Sequence, residues 1–91
     1  MAYGTKTITA TTGGTLIVDA NPQRIGLILV NTSTQTVYLG HDTNVTTANG
    51  IPLLTNGNLT EDSTGTKMYM GPYYGITASS TSDVRYDERV R

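Results

Sequence analysis

The sequence predicts an all-β fold, a small single-domain antiparallel β-sandwich of jelly-roll or immunoglobulin-like form with about eight short strands. Three observations predict it. Thr supplies 18 of the 91 residues, alongside 10 Gly and 6 Asn, which is a composition of pleated, half-exposed surface and tight turns. Ala, Glu and Lys, the residues that furnish helix surfaces, number only 5, 2 and 2. No window keeps apolar residues at i, i+3, i+4 and i+7, whereas alternation with a period of two recurs along the chain.

Taken in order, residues 1–12 read as an N-terminal arm or edge strand and residues 13–91 as one β-sandwich domain. Thr5-Lys6-Thr7-Ile8-Thr9-Ala10 alternates weakly and is polar on one face. Gly13-Gly14 punctuates, and Thr15-Leu16-Ile17-Val18 makes a second short strand that Asn21-Pro22 ends, since proline lacks a ladder donor. Arg24 to Asn31 is the most apolar stretch. Ile25, Leu27 and Leu29 point one way and Ile28 and Val30 the other, the pattern of a central strand covered on both sides by a second sheet or another subunit.

Thr32-Ser33-Thr34-Gln35 then turns the chain into Thr36-Val37-Tyr38-Leu39-Gly40, an expected hairpin with Val37 and Leu39 inward and Tyr38 outward. Asn49-Gly50 and Asn56-Gly57 are turn dipeptides that tolerate positive φ. Between them Ile51-Pro52-Leu53-Leu54 is restricted by Pro52 to an edge or a corner. Asn58-Leu59-Thr60 pairs briefly, and Glu61 to Thr66 reads as a polar loop. Lys67 to Met70, Tyr74 to Ala78 and Asp83 to Tyr86 complete the strands. Of Tyr73 and Tyr74, one ring enters the core and the other stays on the surface.

Leu, Ile and Val total 19 of 91 residues and Phe and Trp are absent, so the core is thin and a partner is expected. Net charge is −1, from 6 Lys and Arg against 7 Asp and Glu, which leaves no basic footprint for nucleic acid or an anionic membrane. No apolar run reaches the length of a membrane-spanning helix, and the first residues do not read as an export signal. With no Cys there is no disulfide framework and no thiolate chemistry. Charge is uneven. Asp42 is the only charged residue from Ile25 to Thr60, while residues 83 to 91 hold six of the thirteen charges. A neutral surface of that length suits a covered one.

No pattern of catalytic or ligating residues stands out, so no catalytic residue, cofactor or metal is expected. His41 is the only histidine, and neighbouring strand residues such as His41 and Asp42 point to opposite faces, away from a shared hydroxyl such as Ser33. Glu61-Asp62 and Asp87-Glu88 are adjacent in sequence rather than opposed across a cleft. Asp42-Thr43-Asn44 opens like a calcium loop but lacks the glycine at the sixth place (Thr47) and the Glu at the twelfth (Leu53). Exposed tyrosines suit a protein interface, with a glycan-binding face as the alternative.

The run Arg24-Ile25-Gly26-Leu27-Ile28-Leu29-Val30-Asn31-Thr32-Ser33, followed by Val37-Tyr38-Leu39-Gly40, resembles small virion proteins of tailed bacteriophages. The likeness continues through Val45-Thr46, Asn49 to Leu53 and Leu59-Thr60, and closes with Tyr74 to Ser80 and Asp83-Val84-Arg85. It covers residues 24 to 86. The resemblance implies a structural protein of the virion, made in the host bacterial cytoplasm. Its best-fitting role is a capsid decoration, or cement, protein that binds the major capsid protein on the outside of the mature shell as a homo-oligomer, a homotrimer by preference. A neck, tail or fibre component is the alternative, and a monomeric glycan- or protein-binding module a second one. Tyr3, Thr5, Lys6, Tyr38, Tyr73, Arg85, Tyr86 and Arg89 are the expected capsid or intersubunit contacts.

Overall fold

A computed structural model describes residues 2–10, 13–62 and 69–91. They form eight strands: β1 (Ala2–Thr9), β2 (Thr15–Val18), β3 (Arg24–Asn31), β4 (Val37–Gly40), β5 (Ile51–Leu53), β6 (Asn58–Asp62), β7 (Tyr73–Thr77) and β8 (Thr81–Val90). One antiparallel sheet has the order β1-β8-β3-β6 and the other β2-β7-β4-β5. Pairing of 1 with 8, 2 with 7, 3 with 6 and 4 with 5 is one long antiparallel ribbon rolled over itself. That winding is a jelly roll, so of the sandwich forms open to the sequence this is the one adopted.

The core lies between the sheets and is made by alternate residues of each strand. Ile8, Ile17, Leu27, Leu29, Val37 and Val84 are almost fully buried there, with Tyr73 and Leu39 beside them. Each such side chain contributes about 1.5–3 kcal/mol relative to exposure. Val37 and Leu39 face inward and Tyr38 outward, as the alternation predicts. Of the two forms open to residues 1–12, residues 2–9 make an edge strand along β8.

Several expectations are corrected. The hairpin across residues 32–35 does not form. β3 and β4 belong to different sheets, and the segment is a corner between them. Asn31 holds that corner. Its buried amide donates to the carbonyls of Gln35 (2.7 Å) and Leu53 (2.8 Å), and its Oδ1 accepts from Ser33 N (3.0 Å). Ser33 Oγ and the Asp83 backbone then tie the corner to β8.

Within β3, the register shifts between Arg24 and Gly26, leaving Ile25 as an extra residue. A bulge inverts the facing of what precedes it. Arg24 therefore occupies the inward place that strict alternation gives Ile25, and it is fully buried while Ile25 is only partly so. The double cover expected for β3 is also incomplete. Its inner face meets the other sheet, but Ile28 and Val30 on the outer face are half-buried with no described layer above them.

Glu61 and Asp62 extend β6 instead of opening a loop. Tyr69 and Met70 are not in a strand, and the rest of the strand expected at 67–70 lies outside the described residues, as do 63–66. Among the Asn-Gly turns only Asn56 takes positive φ (61°). Gly50 is needed for close approach instead, since a Cβ there would lie 2.6 Å from Tyr38 Cβ.

Candidate functional site

The polar end of the core holds the Arg24–Glu88 ion pair. Arg24 Nε contacts Glu88 Oε2 at 2.8 Å, and the guanidinium also donates to the carbonyls of Asp19 (2.7 Å), Gly71 (2.8 Å) and Tyr69 (3.3 Å). Tyr73 donates its hydroxyl to Glu61 Oε1 at 2.7 Å. Burial, and then that hydrogen bond to a carboxylate, push the Tyr73 hydroxyl well above the usual phenol range. Burial raises Tyr69 as well, against the opposing pull of Arg24. Glu61 Oε2 is buried there without a hydrogen-bond partner, and the cluster joins β3, β6, β7, β8 and the residues before β7.

His41 stacks on the Tyr69 ring with centroids 4.0 Å apart and meets Tyr73 edge-on at 5.1 Å. Its neighbours are aromatic. Ser33 Oγ accepts from Asp83 N at the β3–β4 corner, and Asp42 Oδ1 accepts from Asn44 N within its own turn. The segment that opens like a calcium loop uses its polar groups internally: Thr46 Oγ1 accepts from Asn49 N, and Asn49 donates back to Asn44 O. Among the described residues no three His, Cys, Asp or Glu side chains converge. An open depression of about 500 Å³ lies between this turn and β7, lined by Asn44, Thr46, Thr77 and their neighbours.

The outer face of the β1-β8-β3-β6 sheet is different in kind. The cross-strand register sets its side chains in rows. One row runs Tyr3, Asp87, Ile28, Thr60; the next runs Thr5, Arg85, Val30, Asn58. Thr7 and Asp83 flank on one side, and Gly26 and Arg89 on the other. Along β8 this face therefore reads Asp83, Arg85, Asp87, Arg89, alternating in sign, beside an apolar strip of Ile28 and Val30. Gly26 leaves room for the Arg89 stem, whose Cδ would lie 3.5 Å from a Cβ there. None of these four charges forms an ion pair with a described side chain, the side chain of Asp62, level with Arg89 across Gly26, not being among those, and Asp87 Oδ1 is buried without a hydrogen-bond partner.

Of the expected contact residues, the structure brings Tyr3, Thr5, Arg85 and Arg89 onto this one face, all exposed, Tyr3 at 83%. Lys6 is exposed on β1 with its alternation toward the other sheet, at the open edge near Tyr86 and Glu88. Tyr86 turns inward over Gly4 and packs against the core. Tyr38 lies outside the other sheet. Tyr73, expected as a contact, is instead a core residue, 3% exposed, because its strand phase points between the sheets and Glu61 receives its hydroxyl.

Asp83, Asp87, Ile28 and Val30 share the face and were not among the expected contacts. The signal was there as Asp-x-Arg-x-Asp-x-Arg at the two-residue period of a strand. Compared with family models, curated proteins and solved structures, the chain matches none.

Proposed function

We propose that this chain is a non-enzymatic structural protein of a bacteriophage particle, a capsid decoration protein that bridges neighbouring subunits of the mature shell. The observation that carries the reading is the stretch from Ile25 to Thr60, in which Asp42 is the single charge and from which Ile51 (59%) and Leu54 (62%) stand exposed beside the β4–β5 edge. Uncharged surface with projecting apolar side chains is suited to burial against another protein. The jelly-roll winding is in keeping with this, being common among viral capsid domains, although winding alone does not assign a role.

The chain would act by mass action. A domain that binds only the assembled lattice stabilises that lattice over its free subunits, and several linked contacts raise the effective concentration of each. Co-sedimentation of the purified protein with mature and with unexpanded shells of the phage that carries its gene tests the reading. Retention on mature shells alone is the expected result. Absence from both, with recovery of the protein in purified tails or necks, would move it to that part of the particle.

A further inference from the structure

We propose that the outer face of the β1-β8-β3-β6 sheet is a docking surface for a second copy of this chain, packed face to face about a twofold axis that runs across the strands at the level of Gly4, Tyr86, Leu29 and Leu59. This goes beyond the capsid reading and does not depend on it. An isologous contact requires that if residue i meets j, then j meets i. Few surfaces meet that requirement at every position.

This one does. Reversing the β8 row about Tyr86 exchanges Asp83 with Arg89 and Arg85 with Asp87, so each charge in one copy meets its opposite in the other. The same rotation exchanges the two cross-strand rows, because Asp87 is level with Ile28 and Tyr3 while Arg85 is level with Val30 and Thr5. Ile28 therefore lies over Val30 of the second copy, Tyr3 over Thr5, and Thr60 over Asn58. Apolar meets apolar at the centre, polar meets polar at the edges, and four ion pairs cross the interface.

Two further observations favour a second copy as the occupant. The four charges are unpaired with any described side chain, so the face carries unmet electrostatic capacity. Ile28 and Val30 sit on an interior strand with no described layer over them. In area, four strands about 4.8 Å apart and about eight residues long present a footprint of about 19 by 26 Å before side-chain relief is counted. That is about 500 Å², three-fifths of the roughly 800 Å² per partner of a standard interface, with side-chain relief adding to it.

The test is sedimentation equilibrium of the full chain with two variants, each checked for the native circular dichroism spectrum. Arg85→Asp sets like charges against each other twice, once on each side of the axis. It should raise the dissociation constant about a hundredfold. The swap Arg85→Asp with Asp87→Arg changes the row to Asp, Asp, Arg, Arg, which is again self-complementary on reversal, and it should restore association. A wild-type mass of two copies supports the proposal, as does a mass of six that Arg85→Asp splits into threes. A wild-type monomer or plain trimer would overturn it. So would association that the single variant leaves unchanged, or a folded double variant that stays dissociated. Shell binding by a persistent monomer would sink the twofold face while leaving the decoration role intact.

Discussion

Arg24 and Glu88 form a 2.8 Å ion pair at the end of the core, with the Arg24 side chain fully buried and that of Glu88 12% exposed. The pair joins β3 to β8, and the same guanidinium holds three backbone carbonyls from Asp19, Tyr69 and Gly71. One side chain thereby fixes the approach to β3, the end of β2 and the residues before β7. A thin aliphatic core is supplemented here by hydrogen bonds to the Arg24 guanidinium.

Truncating Arg24 leaves a carboxylate and three carbonyls without their donor. Arg24→Ala should cost about 3–5 kcal/mol in urea denaturation, because removing one member of a buried pair strands the other. Glu88→Gln keeps the shape and an acceptor, and should cost less than half as much. Equal losses from the two would show that the charge pairing, and not packing of the Arg24 stem, carries the effect.

Asn31 makes a second test of buried polar structure. Asn31→Ala removes two donated bonds and one accepted bond at the β3–β4 corner, and should lower stability by about 1–3 kcal/mol. Asn31→Asp is nearly isosteric but sets a carboxylate against the carbonyls of Gln35 and Leu53. Near pH 7 it should be the more harmful of the two, and it should recover as acid protonates the side chain. Thermal melts at about pH 4 and 7 separate the outcomes.

Tyr73 predicts an alkaline limit. Its hydroxyl ionises at higher pH in the folded chain than the ordinary value of 10.0, so above about pH 10 the folded chain keeps a proton that the unfolded chain releases. This contribution is complete below that pH and is lost as pH rises toward the folded value. Melting temperature should fall steeply above about pH 10, and Tyr73→Phe should flatten the fall while lowering stability at neutral pH by about 1–3 kcal/mol through the lost Glu61 bond. An unchanged slope in the variant would assign the decline to another tyrosine, with Tyr69 the next candidate.

Two glycines should respond differently to alanine. At Gly50 a new Cβ would meet Tyr38 Cβ at 2.6 Å and Thr46 O at 3.0 Å, so the β4–β5 connection must move, at about 1–3 kcal/mol. At Gly13 the space is open and only the backbone objects, with φ at +95°, so Gly13→Ala should cost about 1 kcal/mol. Chemical denaturation of both variants checks the order.

The sequence by itself determined the all-β class, the inward phase of Val37 and Leu39 and the placing of Pro52 on an edge strand, because alternation and proline act within a few residues of themselves. It also held the sign-alternating row from Asp83 to Arg89, legible once that segment is read as a strand face. What only the tertiary structure decided depends on contacts between residues far apart in the chain. The corner at Asn31 looks locally like a hairpin turn, and it becomes a sheet crossing because the Leu53 carbonyl and the Asp83 backbone are there to receive it. Arg24 reads as a strand-end charge until the bulge at Ile25 turns it inward to Glu88, and Tyr73 is not told apart from Tyr74 until Glu61 accepts its hydroxyl. The level of Ile28 with Asp87 and of Val30 with Arg85, which makes the outer face its own complement, is a matter of register. Register is fixed by which inward residues share the core, and that is settled only when both sheets close on it.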